Sequence, residues 1–136
     1  METFFIDSNI FFYAKIMDKE YGKDCARILN AIAKGELKAV TSSLTIIELA
    51  NALRKYGLSN DVKKVVDAVF SLEIQIFTVE PIDVRYAAEI FEKFRISPYD
   101  CTHVAIMKKA ETDKILSADK EFEKISYIKR VNPKDF

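Results

Sequence analysis

The run Thr3-Phe4-Phe5-Ile6, followed at once by Asp7-Ser8-Asn9, limits the fold more than any other stretch of the chain. Consecutive apolar residues, as opposed to alternating ones, suit a short strand covered on both faces, as in a parallel sheet. Asp7, Ser8 and Asn9 break the run and can cap a following helix. Asp7 is therefore predicted at the C-terminal end of a central strand. In open α/β sheets that edge is where ligands bind.

The rest of the chain alternates similar runs with helical patterns. Residues 8–16 carry Ile10, Phe11, Tyr13 and Ala14 at helix-compatible positions. Residues 20–34 repeat Cys25, Ile28, Leu29 and Ile32 at three- and four-residue spacing, with Gly35 as a stop. Leu37 to Val40 reads as a second strand, ended by Thr41-Ser42-Ser43, and the next helix runs from 43–45 to just before Gly57. A helix over 60–72 would place Val62, Val65, Val66, Val69 and Phe70 on one face. A third strand falls within 72–79, with Pro81 marking its end. The helix over 83–94 is expected to turn Val84, Ala87, Ala88, Phe91 and Phe94 inward. Ser97-Pro98 opens another, which continues through Met107, with proline at the first turn where its missing N–H costs nothing. Lys114 to Ser117 is a fourth strand, 119–124 one helical turn, and Tyr127 to Val131 a fifth strand. Such alternation predicts a parallel sheet with helices on both faces. The expected architecture is one three-layer α/β/α domain over residues 1–136.

Charge and composition narrow the chemistry. Lys plus Arg equals Asp plus Glu at 21 each, so no general basic field draws a polyanion; a local patch or bound cations must do so. Cys25 and Cys101 have no metal-ligand spacing and read as reduced thiols. Gly22, Gly35 and Gly57 form no phosphate-binding loop. No secretory signal precedes the first strand and no apolar run approaches spanning length, so a cytoplasmic location without membrane attachment is expected.

Four acids fall at or near helix starts: Asp7, Glu48, Asp100 and Asp119. Each alone reads equally well as a structural cap. Thr45-Ile46-Ile47-Glu48 and Ser97-Pro98-Tyr99-Asp100 both have capping-box form, and acids are favoured at the positive end of a helix dipole. Their coincidence at one edge points further. Converging carboxylates repel unless cations neutralise them, and hard oxygen donors suit Mg²⁺ or Mn²⁺. Such a pocket can hold one or two ions for attack on a phosphodiester. Asp100 follows a helix and not a strand, so the topology argument places it less directly.

Taken together, Phe5-Ile6-Asp7-Ser8-Asn9, Ser43-Leu44-Thr45-Ile46-Ile47-Glu48-Leu49, Tyr99-Asp100-Cys101-Thr102-His103-Val104-Ala105 and Leu116-Ser117-Ala118-Asp119-Lys120-Glu121-Phe122 resemble the motifs of the PIN-domain nucleases, especially the small VapC-type toxins. The resemblance spans nearly the whole chain. It implies a sheet of order 3-2-1-4-5 and Mg²⁺- or Mn²⁺-dependent hydrolysis of RNA. It also implies an acidic quartet of Asp7, Glu48, Asp100 and Asp119, with Ser117 as its hydroxyl position. Asn9 would help to order the pocket, and Phe122 would pack the turn that carries Asp119. Homodimers and a cognate antitoxin are implied as partners. Cys101, Thr102 and His103 depart from the small or aliphatic residues expected after Asp100.

Other residues have two readings. His103 could touch a phosphate or be a hydrogen-bonded helix residue. Lys15, Arg54, Lys55 and Lys120 could guide RNA or be solvated charges. Phe11, Phe12 and Tyr13 could stack on bases or pack in the core. The alternative to a nuclease is a catalytically silent PIN-like domain that binds a partner protein or RNA; an intact quartet speaks against it.

Overall fold

The structure is a computed structural model describing residues 1–136. Strands β1 (Thr3–Ile6), β2 (Lys38–Ser42), β3 (Ile74–Phe77), β4 (Lys114–Leu116) and β5 (Lys129–Val131) form one sheet in the order β3-β2-β1-β4-β5, with every pair parallel. The expected α/β architecture and strand order are thus observed. No helix is long and apolar enough to cross a membrane.

Side-chain alternation along the strands divides the core in two. Phe4 and Ile6 of β1, Ala39 of β2 and Leu116 of β4 point to one face. Helices α1 (Ser8–Ile16), α2 (Gly22–Ala33), α3 (Ser43–Lys55) and α4 (Val62–Phe70) cover that face, through residues such as Ile10, Ile28, Leu49, Leu53 and Val69. Phe5, Val40 and Ile115 point to the other, under α5 (Pro81–Phe94) and α6 (Pro98–Lys109). The in-register pairs Phe4↔Ala39, Phe5↔Val40 and Phe5↔Ile115 keep each set together. Phe5, Ile6, Ile115 and Leu116 have no exposed surface. Burial of such a side chain contributes about 1.5–3 kcal/mol. The central strands are therefore a rigid base for whatever follows Ile6 and Leu116.

Several elements differ from expectation. β2 extends through Thr41 and Ser42, because Thr41 Oγ–H donates to the Ile6 carbonyl (2.9 Å) and Ser42 pairs with Phe77. The fifth strand is shorter than expected, leaving Tyr127 outside it and 48% exposed. In α4, Val69 is buried and Val62, Val65 and Val66 are half-buried, but Phe70 is exposed. α5 keeps Ala87, Phe91 and Phe94 against the core as expected, but Val84 and Ala88 are exposed and Asp83 and Ile90 are buried. Apolar residues lie on two adjacent faces of α5, so periodicity alone does not choose between them. Asp83, turned inward, accepts from Glu80 N (2.8 Å) in a capping box and from Lys109 Nζ of α6 (2.6 Å). α6 is the most enclosed helix, with every residue from Cys101 to Met107 buried.

Candidate active site

The C-terminal edge of the sheet is built outward from Asp7. Its amide donates to the Leu116 carbonyl (3.1 Å), which prolongs the β1–β4 ladder by one residue. The Asp7 side chain, 4% exposed, then turns into the edge and caps α1, with Oδ1 accepting from Ser8 N (2.8 Å). Oδ2 accepts from Ser117 Oγ (2.6 Å) and from Asn9 Nδ2 (3.1 Å). Ser117 fills its hydrogen-bonding capacity: it donates to Asp7 and accepts from Asn9 Nδ2 (3.1 Å) and Asp119 N (3.0 Å). Asn9 Oδ1 accepts from Ala118 N (3.2 Å). Residues 7–9 and 117–119 are thus one hydrogen-bonded unit joining the ends of the two central strands.

Glu48 comes from α3 on one side of the sheet, and His103 from α6 on the other. Their side chains meet over the edge, with His103 Nε2 2.6 Å from Glu48 Oε1 and 4.0 Å from Asp7 Oδ1. The capping-box reading of Glu48 is therefore corrected. α3 is capped by Ser42, whose Oγ accepts from Thr45 N (3.3 Å), and Glu48 is turned toward the histidine instead. At α6 the cap is Ser97, whose Oγ accepts from Tyr99 N (3.2 Å). Asp119 does act as a cap, with Oδ1 accepting from Glu121 N (2.9 Å) at the start of a 3-10 turn, Lys120–Lys124. Phe122 of that turn is fully buried and anchors it to the core.

Electrostatics show that the four acids share one region. Burial, together with the charges of Asp7, Asp119 and Glu48, raises the Asp100 carboxyl to a pKa of about 7 against the pull of His103. Burial also raises Asp7, opposed by His103 and by its hydrogen bonds to Ser117 and Ser8. Burial alone would lower the pKa of His103, but the bond with Glu48 and the charges of Asp7, Glu48 and Asp100 outweigh it and raise it. An excess of negative charge at a partly buried edge is the condition a cation relieves. Asp7, Glu48 and His103 offer ligand atoms within 4.8 Å of one another, and such a group could hold a metal ion.

The other singled-out residues lie farther out. Lys15 is at the last turn of α1, about 12 Å along the helix from Asp7, and pairs with Asp61 (3.5 Å). Arg54 ends α3 and donates to Asn51 Oδ1 (2.9 Å). Lys120 is exposed beside Asp119. His103 is corrected as an RNA contact: its ring has no exposed surface, packed at 5.3 Å from the Phe5 ring, so it is an interior hydrogen-bonded residue. Phe11 is core, while Phe12 packs on Tyr56 and Tyr13 stacks on Tyr21.

Arg130 was not singled out by its sequence context. Its side chain is 9% exposed; Nη1 donates to the Ser117 carbonyl (2.9 Å), and Nε (2.8 Å) and Nη2 (2.6 Å) hold Glu123 Oε2. It clamps the turn from behind. An arginine on a short edge strand carries no motif, so only the strand pairing brings it to Ser117.

VapC ribonuclease Mb1869c of Mycobacterium bovis is 23% identical over 127 residues, covering 93% of this chain and 97% of that protein. Ribonuclease VapC13 of Mycobacterium tuberculosis matches with the same figures. Among solved structures, that of M. tuberculosis VapC20, described as a Sarcin-Ricin loop cleaving toxin, superposes with a TM-score of 0.79 at 15% identity, covering 92% of this chain and 96% of that one. VapBC2 from Rickettsia felis, solved bound to a DNA fragment from the promoter, gives 0.72 at 16% identity, covering 96% and 98%. The PIN domain family matches residues 4–127. The chain, with its five parallel strands and its acids gathered at their C-terminal edge, belongs to the PIN domain family.

Proposed function

We infer that this protein is a metal-dependent endoribonuclease, and that residues 1–136 are a single PIN domain serving as the toxin of a toxin–antitoxin pair. The observation that carries the reading is the set of Asp7, Glu48, Asp100 and Asp119 at one sheet edge, where burial and the charges of the other three acids raise the Asp100 carboxyl. The names of its relatives, VapC ribonucleases, support RNA as the substrate. Structural neighbours solved as toxin–antitoxin complexes support an antitoxin partner. A homodimer and action in the cytoplasm belong to the same reading.

The donor set fits Mg²⁺ or Mn²⁺, one ion or two. The acids offer hard oxygens, and both cysteines are buried in the core clusters. Asp7, Glu48, Asp100 and Asp119 would hold the ion directly or through water. When bound, a divalent cation supplies neutralising charge and an activated water for in-line hydrolysis of the phosphodiester. The protein's own part is positional. Ser117 and Asn9 fix the Asp7 carboxylate, His103 faces Glu48, and the cap at Asp119 sets the turn beside them. Lys120, exposed next to Asp119, is placed to meet a phosphate, with Lys15 and Arg54 as outlying contacts on a longer RNA.

The test is cleavage of a panel of structured RNAs with Mg²⁺, with Mn²⁺ and with chelator, for wild type and Asp7→Asn. Metal-dependent cleavage lost in the variant is expected. Equal cleavage by both proteins would remove Asp7 from the chemistry and, with it, the proposed mechanism.

A further inference from the structure

We propose that His103 is a positioning residue that holds Glu48 in the pocket, so that the Asp7–Glu48 half of the site is formed before any cation arrives. The inference rests on the metal-dependent reading above and deepens it.

Glu48 lies on the second turn of α3, with a side chain 25% exposed and three rotatable bonds. Left alone, such a carboxylate would turn outward to water. Its hydrogen-bonding partner among the side chains is His103, which reaches it from the opposite layer of the fold. That imidazole cannot swing away. It sits on the buried run of α6, has no exposed surface, and packs against the Phe5 ring at 5.3 Å.

The ring's orientation is also selective. A carboxylate only accepts, so Nε2 carries the proton in the bond to Glu48 Oε1. The other ring nitrogen, Nδ1, is buried without a partner. The geometry thus commits the polar edge of His103 to Glu48, with Asp7 Oδ1 next nearest at 4.0 Å.

The 2.6 Å separation argues for positioning over ligation. Two donor atoms on one octahedral Mg²⁺-like ion would sit about 3 Å apart, given bonds of about 2.1 Å. At hydrogen-bonding distance one oxygen of Glu48 is held by the histidine, and Oε2 remains to face a cation. Outer partners of this kind orient metal-binding carboxylates and are commonly worth about 10–100-fold in metal affinity.

The test compares Mn²⁺ binding, measured by electron paramagnetic resonance on the full chain, for wild type, His103→Phe and His103→Gln, each with and without Glu48→Ala. Phenylalanine keeps the ring volume and loses the donor, whereas glutamine can present an N–H near the Nε2 position. The expected result is binding weakened about 10–100-fold by His103→Phe and within about threefold of wild type for His103→Gln. His103→Phe should add nothing once Glu48 is alanine. Unaltered binding in His103→Phe, equal loss in both His103 variants, or a wild type that binds no Mn²⁺ would overturn the proposal.

A second arm needs neither metal nor a folded His103 variant. In metal-free wild type the Nε2 proton should give a downfield, slowly exchanging resonance that disappears in Glu48→Ala; its persistence there would overturn the proposal. The two readings fail separately. Mn²⁺ binding with no RNA cleavage would count against the nuclease and leave the positioning role standing. Cleavage with Mn²⁺ binding insensitive to His103→Phe would do the reverse.

Discussion

The two halves of the acidic edge are held in different ways. Asp7 and Glu48 are tied by groups from three parts of the chain: Ser117 after β4, with Asn9 and the Ser8 amide of α1, on Asp7, and His103 of α6 on Glu48. Asp100 has no such set of partners. What surrounds it is burial and the like charges of Asp7, Asp119 and Glu48, which leave it with a pKa of about 7. Asp119 is held through a local cap on its own turn. One half is organised by the protein, and the other is organised around charge that only a proton or a cation can relieve. In physical terms, the first half sets geometry and the second concentrates negative charge that a cation could neutralise.

That contrast can be broken or sharpened by substitution. The largest effect is expected at Asp7, where the organised half and the electrostatic half meet. Asp7→Asn should lower RNA cleavage by at least about a thousandfold, while the circular dichroism spectrum stays native. Loss of structure instead would make Asp7 mainly a cap of α1. Next come the residues that hold it. Ser117→Ala is expected to lower cleavage about 10–100-fold, in kcat and metal affinity more than in KM. A Ser117→Ala variant as active as wild type would show that the Asp7 rotamer needs no help.

The third test lies on the other half and reads stability. Asp100 has its folded-state pKa raised above the ordinary carboxyl value, so the folded protein binds this proton more tightly than the unfolded chain does. Its cost to stability is therefore fully present above about pH 7 and is relieved as pH falls from there toward the unfolded value near 4. Metal-free Asp100→Asn should gain about 1–3 kcal/mol over wild type at pH 8 and much less at pH 5, measured by urea unfolding. Saturating Mn²⁺ should narrow the pH 8 gap, because bound metal stabilises wild type by about 2.7 kcal/mol at a hundred times Kd. An Asp100→Asn variant that is less stable at both pH values would reveal an unrecognised bond to this carboxylate. The smallest effects are expected outside both halves. Lys15→Ala and Arg54→Ala should change cleavage by no more than about twofold, since each is engaged locally and lies along its helix from the acids.

Much of this was legible in the sequence, for identifiable reasons. Consecutive apolar residues in Phe4-Phe5-Ile6 marked a strand buried on both faces, and in open α/β sheets ligands bind at the C-terminal edge of such strands. The quartet was legible because each acid follows a recognisable strand end or helix cap. What was not legible depends on contacts between layers. The buried Asp83 of α5 pairs with Lys109, 26 residues away on α6. The Glu48–His103 bond joins residues 55 apart on opposite sides of the sheet. The local pattern Thr45-Ile46-Ile47-Glu48 favoured a capping box, and Ser42 took the cap because β2 ran two residues further than its apolar run. Arg130 emerged only through β5 pairing.

The most direct test of the account is an anomalous difference map from crystals soaked in Mn²⁺, for wild type and Asp7→Asn. A peak is expected at the C-terminal edge of the sheet, against the carboxylates of Asp7 and at least two of Glu48, Asp100 and Asp119, with no peak there in the variant. A peak elsewhere, or one at the same place and height in Asp7→Asn, would contradict it.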